Sequence, residues 1–539
     1  MPQLARGRDP AFPGYFEALS SMGNAHVRFA PWFGYPRAAV LELEPADCGA
    51  GGGSSFNSSV LDGTLADFML AVCGPRAALG ECAGGRSVVP QLSTMPAWLY
   101  VPDGKNRTPP EDPWAYPLDD MNYYVVRGQP LVDPTCGAMA RYAARYVAHY
   151  TAGGHTDECG VVHPSGLFYN WPLLSVLNED EYDTPPHGGI EYTICFDAWK
   201  AEIAKVNPRL RLIGPEIATN ERAARGSDVW NYSAYFLDPS SHADGAAPGF
   251  VSLHVALDGK DGAFDDFFAG VDEWTTNFLA PLMALSPAGT TQFIVNEYIP
   301  FMNSWCEIPP DAPPGEDCDW QSNRSAGVRM NRVTLGWNAA AASCAFARQL
   351  RHTPTPSLHT PTHSPPLCHH NPRTVAYAYG RFSELGLLIA GQDQLIGGPY
   401  PNNEPAVASL DWDTGEPNAK YWATRVLAEA LGTAPRDLFN SSVAGGGGGV
   451  APLYSLAMQV PDAGGGPARR VLLLVSKTSD AVAVALADGG FPHGSAAIVL
   501  EGAGAEPGFN PPVARAPDAA SGALSLGPYA VAVVTLGEH

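Results

Sequence analysis

The sequence of 539 residues contains little positive charge and no long apolar run. Lys and Arg total 32 against 55 Asp and Glu, so the formal net charge is −23, and no basic block is present that would neutralise a phosphate backbone. Nucleic acid is therefore not expected as a partner. No stretch of about 18 or more residues is apolar throughout, which predicts that the chain has no membrane-spanning helix. The acidic balance suits a neutral ligand, but more often it reflects solubility alone.

The ten cysteines lack the C-x-x-C spacing of a structural zinc site, so no such site is predicted. Cys195 and Cys344 fall in helical patterns, and we expect buried thiols there. Two pairs lie in loop sequence rich in Gly or Pro and are expected to close short disulfide loops: Cys73 with Cys82, and Cys306 with Cys318.

Five N-x-S/T triplets, at Asn57, Asn106, Asn231, Asn323 and Asn440, favour secretion or a vacuolar or lysosomal destination, as the expected disulfides do. The first 25 residues contain no apolar core of the kind that a signal peptide needs. The sequence carries no clear signal about the oligomeric state.

No Gly-rich dinucleotide fingerprint follows a strand, which argues against a Rossmann fold. Instead, β-type runs alternate with amphipathic helical patterns. The runs are 25–30, 89–94, 173–177, 210–214, 250–255, 291–295 and 387–390, and the helices are 136–152, 190–206, 264–285, 326–350 and about 418–431. This alternation predicts parallel βαβ units, and seven repeats within residues 1–436 favour a (β/α)8 TIM barrel with long loops.

Seven strands are one short of a full barrel, because the sequence opens almost inside a first helix at 10–23. We expect a truncated N-terminus in which the first strand and a leader peptide are both missing. Residues 351–374 are rich in Pro, Thr and His and predict a low-complexity insertion or a translated intron. Metal binding by the five histidines of this segment is a less favoured alternative.

The last part of the sequence predicts a second, smaller domain. Residues 437–452 form a Gly-rich linker, and residues 453–539 contain alternating apolar stretches typical of an antiparallel β-sandwich. The expected strands of the sandwich include 470–478, 481–488, 496–502 and 529–536.

Two carboxylates stand where predicted strands end. Glu179 follows the apolar run LLSVL, and Glu297 ends the run QFIVNEY. A charge beside a buried strand is costly unless it is paired or used, and in a parallel barrel the carboxyl ends of separate strands converge on one cleft. A facing pair of carboxylic acids is the apparatus of glycosidic hydrolysis. The distance between them, which decides between retention and inversion, cannot be read from a sequence.

With these acids in place, the sequence resembles glycoside hydrolase family 39, the β-xylosidases and α-L-iduronidases of the retaining clan A. The stretch GLFYNWPLLSVLNEDEYDTPP, the following helix and LRLIGPEI carry the resemblance. Further similar segments are VRFAPWFGYPR, LSTMPAWL, VSLHV and DWDTGEPNAKYWATRVL, so that it covers about residues 15–435. The resemblance implies a (β/α)8 barrel, a carbohydrate substrate and chemistry that needs neither a metal nor an organic cofactor.

The resemblance also implies roles for individual residues. Glu179 would be the general acid and base, Glu297 the nucleophile, and Asn178 the partner of the sugar hydroxyl beside the anomeric carbon. His254 matches a histidine that contacts the sugar, although the chain reads HVA where an aromatic residue often follows. Arg28 would hold the nucleophile ionised, and two tryptophans offer faces for a sugar ring: Trp98 and Trp305.

Three alternatives remain open at this stage. Glu216, in IGPE, is a rival acid that we expect to support the site or to lie in a loop. The protein is alternatively a catalytically inactive, glycan-binding barrel, which the altered HVA segment and the insertion favour. It is alternatively a clan A enzyme of another family, of the β-glucosidase or β-glucuronidase type.

Overall fold

The computed structural model describes residues 12–30, 36–49, 53–102, 111–112, 130–179, 190–220, 223–257, 264–286, 290–300, 372–392, 395, 409–410, 415–417, 419–433, 436–439, 441, 452–461, 466–478, 480–486, 496–500, 511–528 and 530–535. The chain divides into two compact units. The first consists of Met1–Ala256, Asp272–Tyr298 and Leu385–Gln392, and the second consists of Leu257–Val271, Ile299–Glu384 and Asp393–His539.

The first unit is built on a parallel sheet of seven strands. They are β1 (His26–Phe29), β2 (Ser87–Leu92), β5 (Leu173–Val176), β6 (Arg211–Asn220), β7 (Phe250–Leu257), β8 (Gln292–Pro300) and β9 (Ile389–Gln392), and the sheet follows this order. A separate antiparallel hairpin joins β3 (Gly154–Thr156) and β4 (Val162–Pro164). The end strands β1 and β9 lie close to each other, so the sheet curls into a nearly closed barrel. All seven strands predicted from the sequence are confirmed.

The interior of this sheet is apolar. Five strands each contribute one side chain to a buried cluster made of Val89, Leu173, Ile213, Ile294 and Ile389. Strands of a parallel barrel are buried on both faces, which explains why they read as continuous apolar runs in the sequence. A polar side chain within such a strand is therefore conspicuous.

Helices follow most of the strands. They are α1 (Phe12–Met22), α2 (Pro36–Ala39), α3 (Ser59–Cys73), α4 (Gly137–Thr151), α5 (Ile190–Val206), α6 (Asp228–Leu237), α7 (Phe264–Trp274), α8 (Ala280–Met283), α9 (Pro372–Glu384) and α10 (Ala419–Leu431). One π-helical segment, Thr275–Leu279, joins α7 to α8. Within the described residues, none of these helices combines the length and the apolar character that a bilayer span would need.

Three disulfides lie within the described residues of the first unit. Cys73 and Cys82 are bonded as predicted. The prediction of a buried thiol at Cys195 is wrong, because Cys195 is bonded to Cys136. Cys136 immediately precedes α4 and Cys195 lies in α5, and these two helices pack together, which brings the sulfurs within bonding distance. The third disulfide joins Cys48 to Cys159 across 111 positions.

The second unit contains a six-stranded antiparallel sheet in the order β10-β11-β12-β17-β14-β15 and the antiparallel pair β13-β16. These strands are β10 (Asp437–Phe439), β11 (Leu453–Val460), β12 (Arg469–Ser476), β13 (Val482–Ala485), β14 (Ala496–Leu500), β15 (Val513–Arg515), β16 (Ala523–Leu526) and β17 (Val531–Thr535). Leu524 and Leu526 of the pair pack on Leu472 and Leu474 of the sheet, as in a sandwich. The strand β10 falls inside the range 437–452 that the sequence assigned to a linker.

Several sequence predictions fall outside the described residues. They concern Trp305, Cys306, Cys318, Cys344, the helix expected at 326–350 and most of the insertion expected at 351–374. The last residues of that insertion range, from Pro372, begin α9.

Candidate active site

Glu179 is held at the carboxyl end of β5 by an unusual backbone path. Leu177 and Glu179 both have positive φ, 58° and 52°, a region that costs a residue with a Cβ about 1–2 kcal/mol. The backbone N–H of Glu179 donates to the carbonyl oxygen of Glu216, 3.1 Å away, and so ties the end of β5 to β6. Backbone strain of this kind is concentrated at functional sites, which makes the segment a candidate.

Bulges place the other two acids. The pairing of β6 with β7 shifts between Pro215 and Ile217, which leaves Glu216 as the extra residue with φ at 57°. The pairing of β8 with β9 shifts between Val295 and Tyr298, in the segment that contains Glu297. A bulge turns side chains away from the alternation of a regular strand and is common beside active sites.

Arg28 of β1 binds two of the predicted site residues. Its Nη1 donates to Oε2 of Glu297 over 2.6 Å, and its Nη2 donates to Oδ1 of Asn178 over 2.7 Å. The side chains of Arg28 and Glu297 are 13% and 6% exposed, so the ion pair is largely shielded from water.

The side-chain amide of Asn178 is fixed by two donors on its oxygen. Oδ1 accepts from Arg28 and also from Nε2 of Gln91, at 2.7 Å, and Gln91 donates in addition to the carbonyl oxygen of Leu177. The oxygen of Asn178 is thus occupied within the protein, and these two donors fix the orientation of the amide.

His254 of β7 lies between three carboxylates. Its Nδ1 is 2.9 Å from Oε1 of Glu179 and 3.5 Å from Oε2 of Glu297, and its Nε2 is 2.9 Å from Oε2 of Glu216. Burial alone would lower the pKa of His254, but the charge of Glu297 and the hydrogen bonds to Glu179 and Glu216 outweigh it and raise the pKa to about 10. The ring is therefore an imidazolium that donates from both nitrogens at neutral pH.

Glu216 lies beneath this cluster and is fully buried. Its Oε2 accepts from His254 and from Oγ of Ser252, and its Oε1 accepts from Nδ2 of Asn296. Burial would raise the pKa of Glu216, yet the hydrogen bond and charge of His254, the charge of Arg28 and further hydrogen bonding lower it below the usual range. Glu216 is thus a buried carboxylate that remains ionised.

Glu179, His254 and Glu297 each present one atom, and these three atoms lie within 4.8 Å of one another. The two carboxylate oxygens therefore face each other across one small space. Such a set has the composition of a cation site, but two positive groups already serve it, Arg28 and protonated His254. The donor chemistry fits an acid–base site better than a metal site.

Five of the seven site residues predicted from the sequence come together here, namely Arg28, Asn178, Glu179, His254 and Glu297. Trp98 is half-buried, and its indole N–H donates to the carbonyl oxygen of Glu42 over 2.9 Å. A stacking role for Trp98 stays a prediction. Trp305 lies outside the described residues.

Sequence reasoning missed four supporting residues: Gln91, Ser175, Ser252 and Asn296. All are buried polar residues within apolar strands. A buried polar group normally requires a partner, so the interruption of an apolar run by a polar letter is the signal that would have identified them.

No protein-family model matches the sequence, and a search of curated proteins finds no match either. Among solved structures, the chain is similar to a glucosidase from Croceicoccus marinus, at 11% identity and a TM-score of 0.48, with 99% of this chain and 94% of that chain covered. It is similar to a family 51 α-L-arabinofuranosidase from Bifidobacterium longum, at 11% identity and a TM-score of 0.49, with 97% and 90% covered. It is also similar to a family 39 β-xylosidase from Caulobacter crescentus, at 10% identity and a TM-score of 0.41, with 98% of this chain and 92% of that chain covered.

Proposed function

We propose that the protein is a retaining glycoside hydrolase in which Glu179 is the general acid and base and Glu297 the nucleophile. The observation that carries the proposal is the approach of one oxygen of each carboxylate to within 4.8 Å of the other. Carboxyl groups of retaining enzymes lie about 5–5.5 Å apart, and those of inverting enzymes about 6.5–9.5 Å apart, because an inverting site must admit a water molecule.

Charge balance supports this division of roles. The cluster holds three carboxyl groups, Glu179, Glu216 and Glu297, and two cations, Arg28 and His254. The charges balance when one carboxyl group is protonated. Glu216 accepts three hydrogen bonds in full burial and Glu297 pairs with Arg28, so the proton belongs on Glu179, whose side chain is the most exposed of the three acids at 14%.

The proposed reaction proceeds in two steps. First, a carboxylate oxygen of Glu297 attacks the anomeric carbon while Glu179 gives its proton to the glycosidic oxygen, so that the C–O bond to the leaving group breaks and a glycosyl ester forms. Next, Glu179, now a carboxylate, takes a proton from water; the resulting hydroxyl attacks the anomeric carbon, and the ester bond breaks to restore Glu297.

His254 and Arg28 suit both steps. In the free enzyme the negative charge lies on Glu297, and in the glycosyl-enzyme it lies on Glu179. Because Nδ1 of His254 is near both acids, at 2.9 and 3.5 Å, the same imidazolium stabilises whichever carboxylate is charged. The amide of Asn178 would donate to a sugar hydroxyl, the role that the resemblance to family 39 implies.

The test is a screen of the purified chain against aryl β-xylosides, β-glucosides, β-glucuronides and α-L-iduronides. We expect hydrolysis of at least one, with proton NMR showing that the first sugar released keeps the anomeric configuration of the substrate. Release of the inverted anomer would overturn the retaining mechanism. Binding of a sugar without turnover would favour the inactive, glycan-binding barrel.

The motif resemblance makes β-xylosides and α-L-iduronides the first substrates to try, and we propose a (β/α)8 barrel as the fold class of the first unit. We also propose a secretory route. Three disulfides support it, because such bonds persist in oxidising compartments, and Asn57 and Asn231 are exposed sequons. Mass spectrometry of the protein from its natural source, before and after glycosidase treatment, would test for glycans at these two positions.

A further inference from the structure

Glu216 is a charged residue that no substrate can touch, since none of its side chain is exposed. It nevertheless binds side chains from two other strands, Ser252 and His254 of β7 and Asn296 of β8. We propose that Glu216 is a positioning residue that keeps His254 permanently protonated, with its Nδ1–H aimed at the two catalytic carboxylates. This inference rests on the proposed function, and its experiment is arranged so that the two can fail separately.

The buried position of the Glu216 carboxylate is energetically unfavourable in itself. Burial of a carboxylate without partners costs several kcal/mol, so such a group persists only when its oxygens are satisfied. Here Ser252 donates to Oε2 over 2.9 Å and Asn296 donates to Oε1 over 3.1 Å, and the backbone pays an additional strain at φ 57°. Two hydrogen bonds thus stabilise a negative charge that the chemistry itself does not touch, at a position where the backbone is also strained.

The charge of Glu216 acts on Nε2 of His254. The two groups near Nε2 are Oε2 of Glu216, at 2.9 Å, and Nη2 of Arg28, at 3.4 Å. Since the guanidinium can only donate, Glu216 is the acceptor that a protonated Nε2 needs. The carboxylate therefore fixes both the orientation of the ring and the proton on Nε2.

The other ring nitrogen of His254, Nδ1, faces Glu179 and Glu297. With Nε2–H bound to Glu216, the second proton of the imidazolium lies on Nδ1, between Glu179 and Glu297. Without the charge of Glu216, one of the three groups that offset burial is lost, so the neutral ring becomes relatively more stable although Glu297 and Glu179 still favour the charged form. Glu179 would then lose a charged donor, its protonated form would become relatively more stable, and it would be a weaker acid.

The experiment compares pH profiles of kcat/KM for the wild type and Glu216→Gln. The variant keeps the shape of the side chain but removes its charge. We expect the alkaline limb, on which Glu179 must still hold its proton, to move to higher pH by about one unit, the size of a lost charge-assisted hydrogen bond. Glu216→Asp retains the charge and should restore the limb most of the way to its original position.

Asp157→Asn is the matched control. Asp157 is a buried acid of the same unit, bound to a histidine, His163, over 2.8 Å, and its other hydrogen bonds come from the backbone N–H groups of Cys159 and Val161. Both variants should lower the free energy of unfolding, because each removes a buried charge, but only Glu216→Gln should shift the alkaline limb of the kcat/KM profile. A limb that stays in place in Glu216→Gln, or that moves equally in Asp157→Asn, would overturn the inference.

A second readout does not depend on catalysis. Nitrogen-15 NMR of labelled histidine, with the His254 signals assigned from the spectrum of His254→Gln, reports the protonation of each ring nitrogen. Both nitrogens of His254 should carry protons from pH 6 to 9 in the wild type, and the ring should lose a proton at lower pH in Glu216→Gln than in the wild type. If no glycoside is hydrolysed but the NMR result holds, the proposed function fails while the assignment of Glu216 to His254 survives.

If Glu216→Gln does not fold, NMR of the wild-type protein alone tests the inference. Carbon-13 signals of Glu216 and nitrogen-15 signals of His254 must then show an ionised carboxylate and a doubly protonated ring together at every pH at which the protein is folded. A neutral His254 at pH 7 would overturn the inference without any variant.

Discussion

Nη1 of Arg28 donates to Oε2 of Glu297 over 2.6 Å, although the two residues are 269 positions apart in the sequence. Arg28 also holds Asn178, so this one side chain orients a carboxylate and an amide that arise from different strands. Because the pair is shielded, its loss is not compensated by water as it would be at the surface.

Replacement of Arg28 by Ala should therefore lower kcat/KM by about 10- to 100-fold, the equivalent of one charged hydrogen bond. The cause is the loss of the donor that orients Glu297. Steady-state kinetics on the best substrate of the screen would measure it. Arg76→Ala is the control, since the ion pair of Arg76 with Glu81 is exposed at 65% and 53% and should contribute nothing to activity. Equal rates for the two variants would contradict this role of Arg28.

The two acids should fail in different ways. Glu179→Gln removes only the proton donor, so it should abolish hydrolysis of substrates with poor leaving groups while aryl glycosides with good leaving groups still react in the first step. Glu297→Ala removes the nucleophile and should be inactive on both kinds until azide or formate is added. Burst kinetics with dinitrophenyl glycosides would distinguish them. Unchanged hydrolysis of both substrate classes by Glu179→Gln would remove that assignment.

Gly391, on the neighbouring strand β9, lies close to the backbone of Asn296, the residue before Glu297. A Cβ at Gly391 would lie 2.7 Å from the carbonyl oxygen of Asn296, in the irregular part of the β8–β9 pairing, so backbone would have to move. We expect Gly391→Ala to lower kcat by tenfold or more, since misplacement of a reacting group by about 1 Å can cost roughly 100-fold.

Gly63→Ala provides the matched comparison for Gly391→Ala. Gly63 is an exposed position inside α3 with no atom within 4 Å of a new Cβ, so the change should leave kcat unaltered. It should stabilise the protein by about 0.5–1 kcal/mol, because Gly in a helix interior is less favourable than Ala. Urea unfolding and kinetics on both variants would check the pair; an active Gly391→Ala would show that the strand can shift without moving Glu297.

The strands and the proximity of Glu179 to Glu297 could be predicted from the sequence, for specific physical reasons. Val89, Leu173, Ile213, Ile294 and Ile389 form one buried cluster, and buried parallel strands reveal themselves as apolar runs. Glu179 and Glu297 are conspicuous in the sequence because a charge next to a buried apolar strand is costly unless it is paired or used in the site.

The sequence left Glu216 either supporting the site or in a loop, and its contact with His254 could not be predicted in the same way. This contact depends on a bulge and on a positive φ at Glu216. Neither can be recognised in the sequence, because Glu does not typically adopt a φ of 57°. The Cys136–Cys195 bond was missed for a related reason, because it requires knowledge that α4 and α5 are neighbours. Local pattern gives elements, whereas pairing between distant elements is a property of the assembled fold.

The raised pKa of His254 predicts a stability that declines in alkali. The folded pKa is about 10 and the ordinary value is 6.5, so this contribution is complete below about pH 6.5 and is lost as the pH rises through the folded value. The free energy of unfolding should therefore fall between pH 7 and 10 by up to about 1.4 kcal/mol per unit. Urea titrations of the wild type and His254→Gln should show a flatter dependence in the variant; parallel curves would contradict the shift.

His155 predicts the opposite behaviour in acid. It lies 4.2 Å from the ring of Phe56 and is stacked at 4.9 Å on His163, and neither of its nitrogens has a hydrogen-bond partner among the described residues. Burial lowers the pKa of His155 to about 3, helped by the charges of His163, His149 and Arg145 and opposed by that of Asp157.

Below about pH 6.5 the unfolded chain therefore binds a proton at His155 that the folded protein does not accept, and stability is lost as the pH falls towards 3. His155→Phe keeps the ring and removes the titration, so its melting temperature should exceed that of the wild type by a margin that grows from pH 7 to pH 5. His163→Phe is the contrasting variant, because it breaks the bond of 2.8 Å to Asp157 and should destabilise at both pH values. Calorimetry at the two pH values checks both variants, and a margin for His155→Phe that does not grow in acid would show that the buried ring accepts its proton without cost.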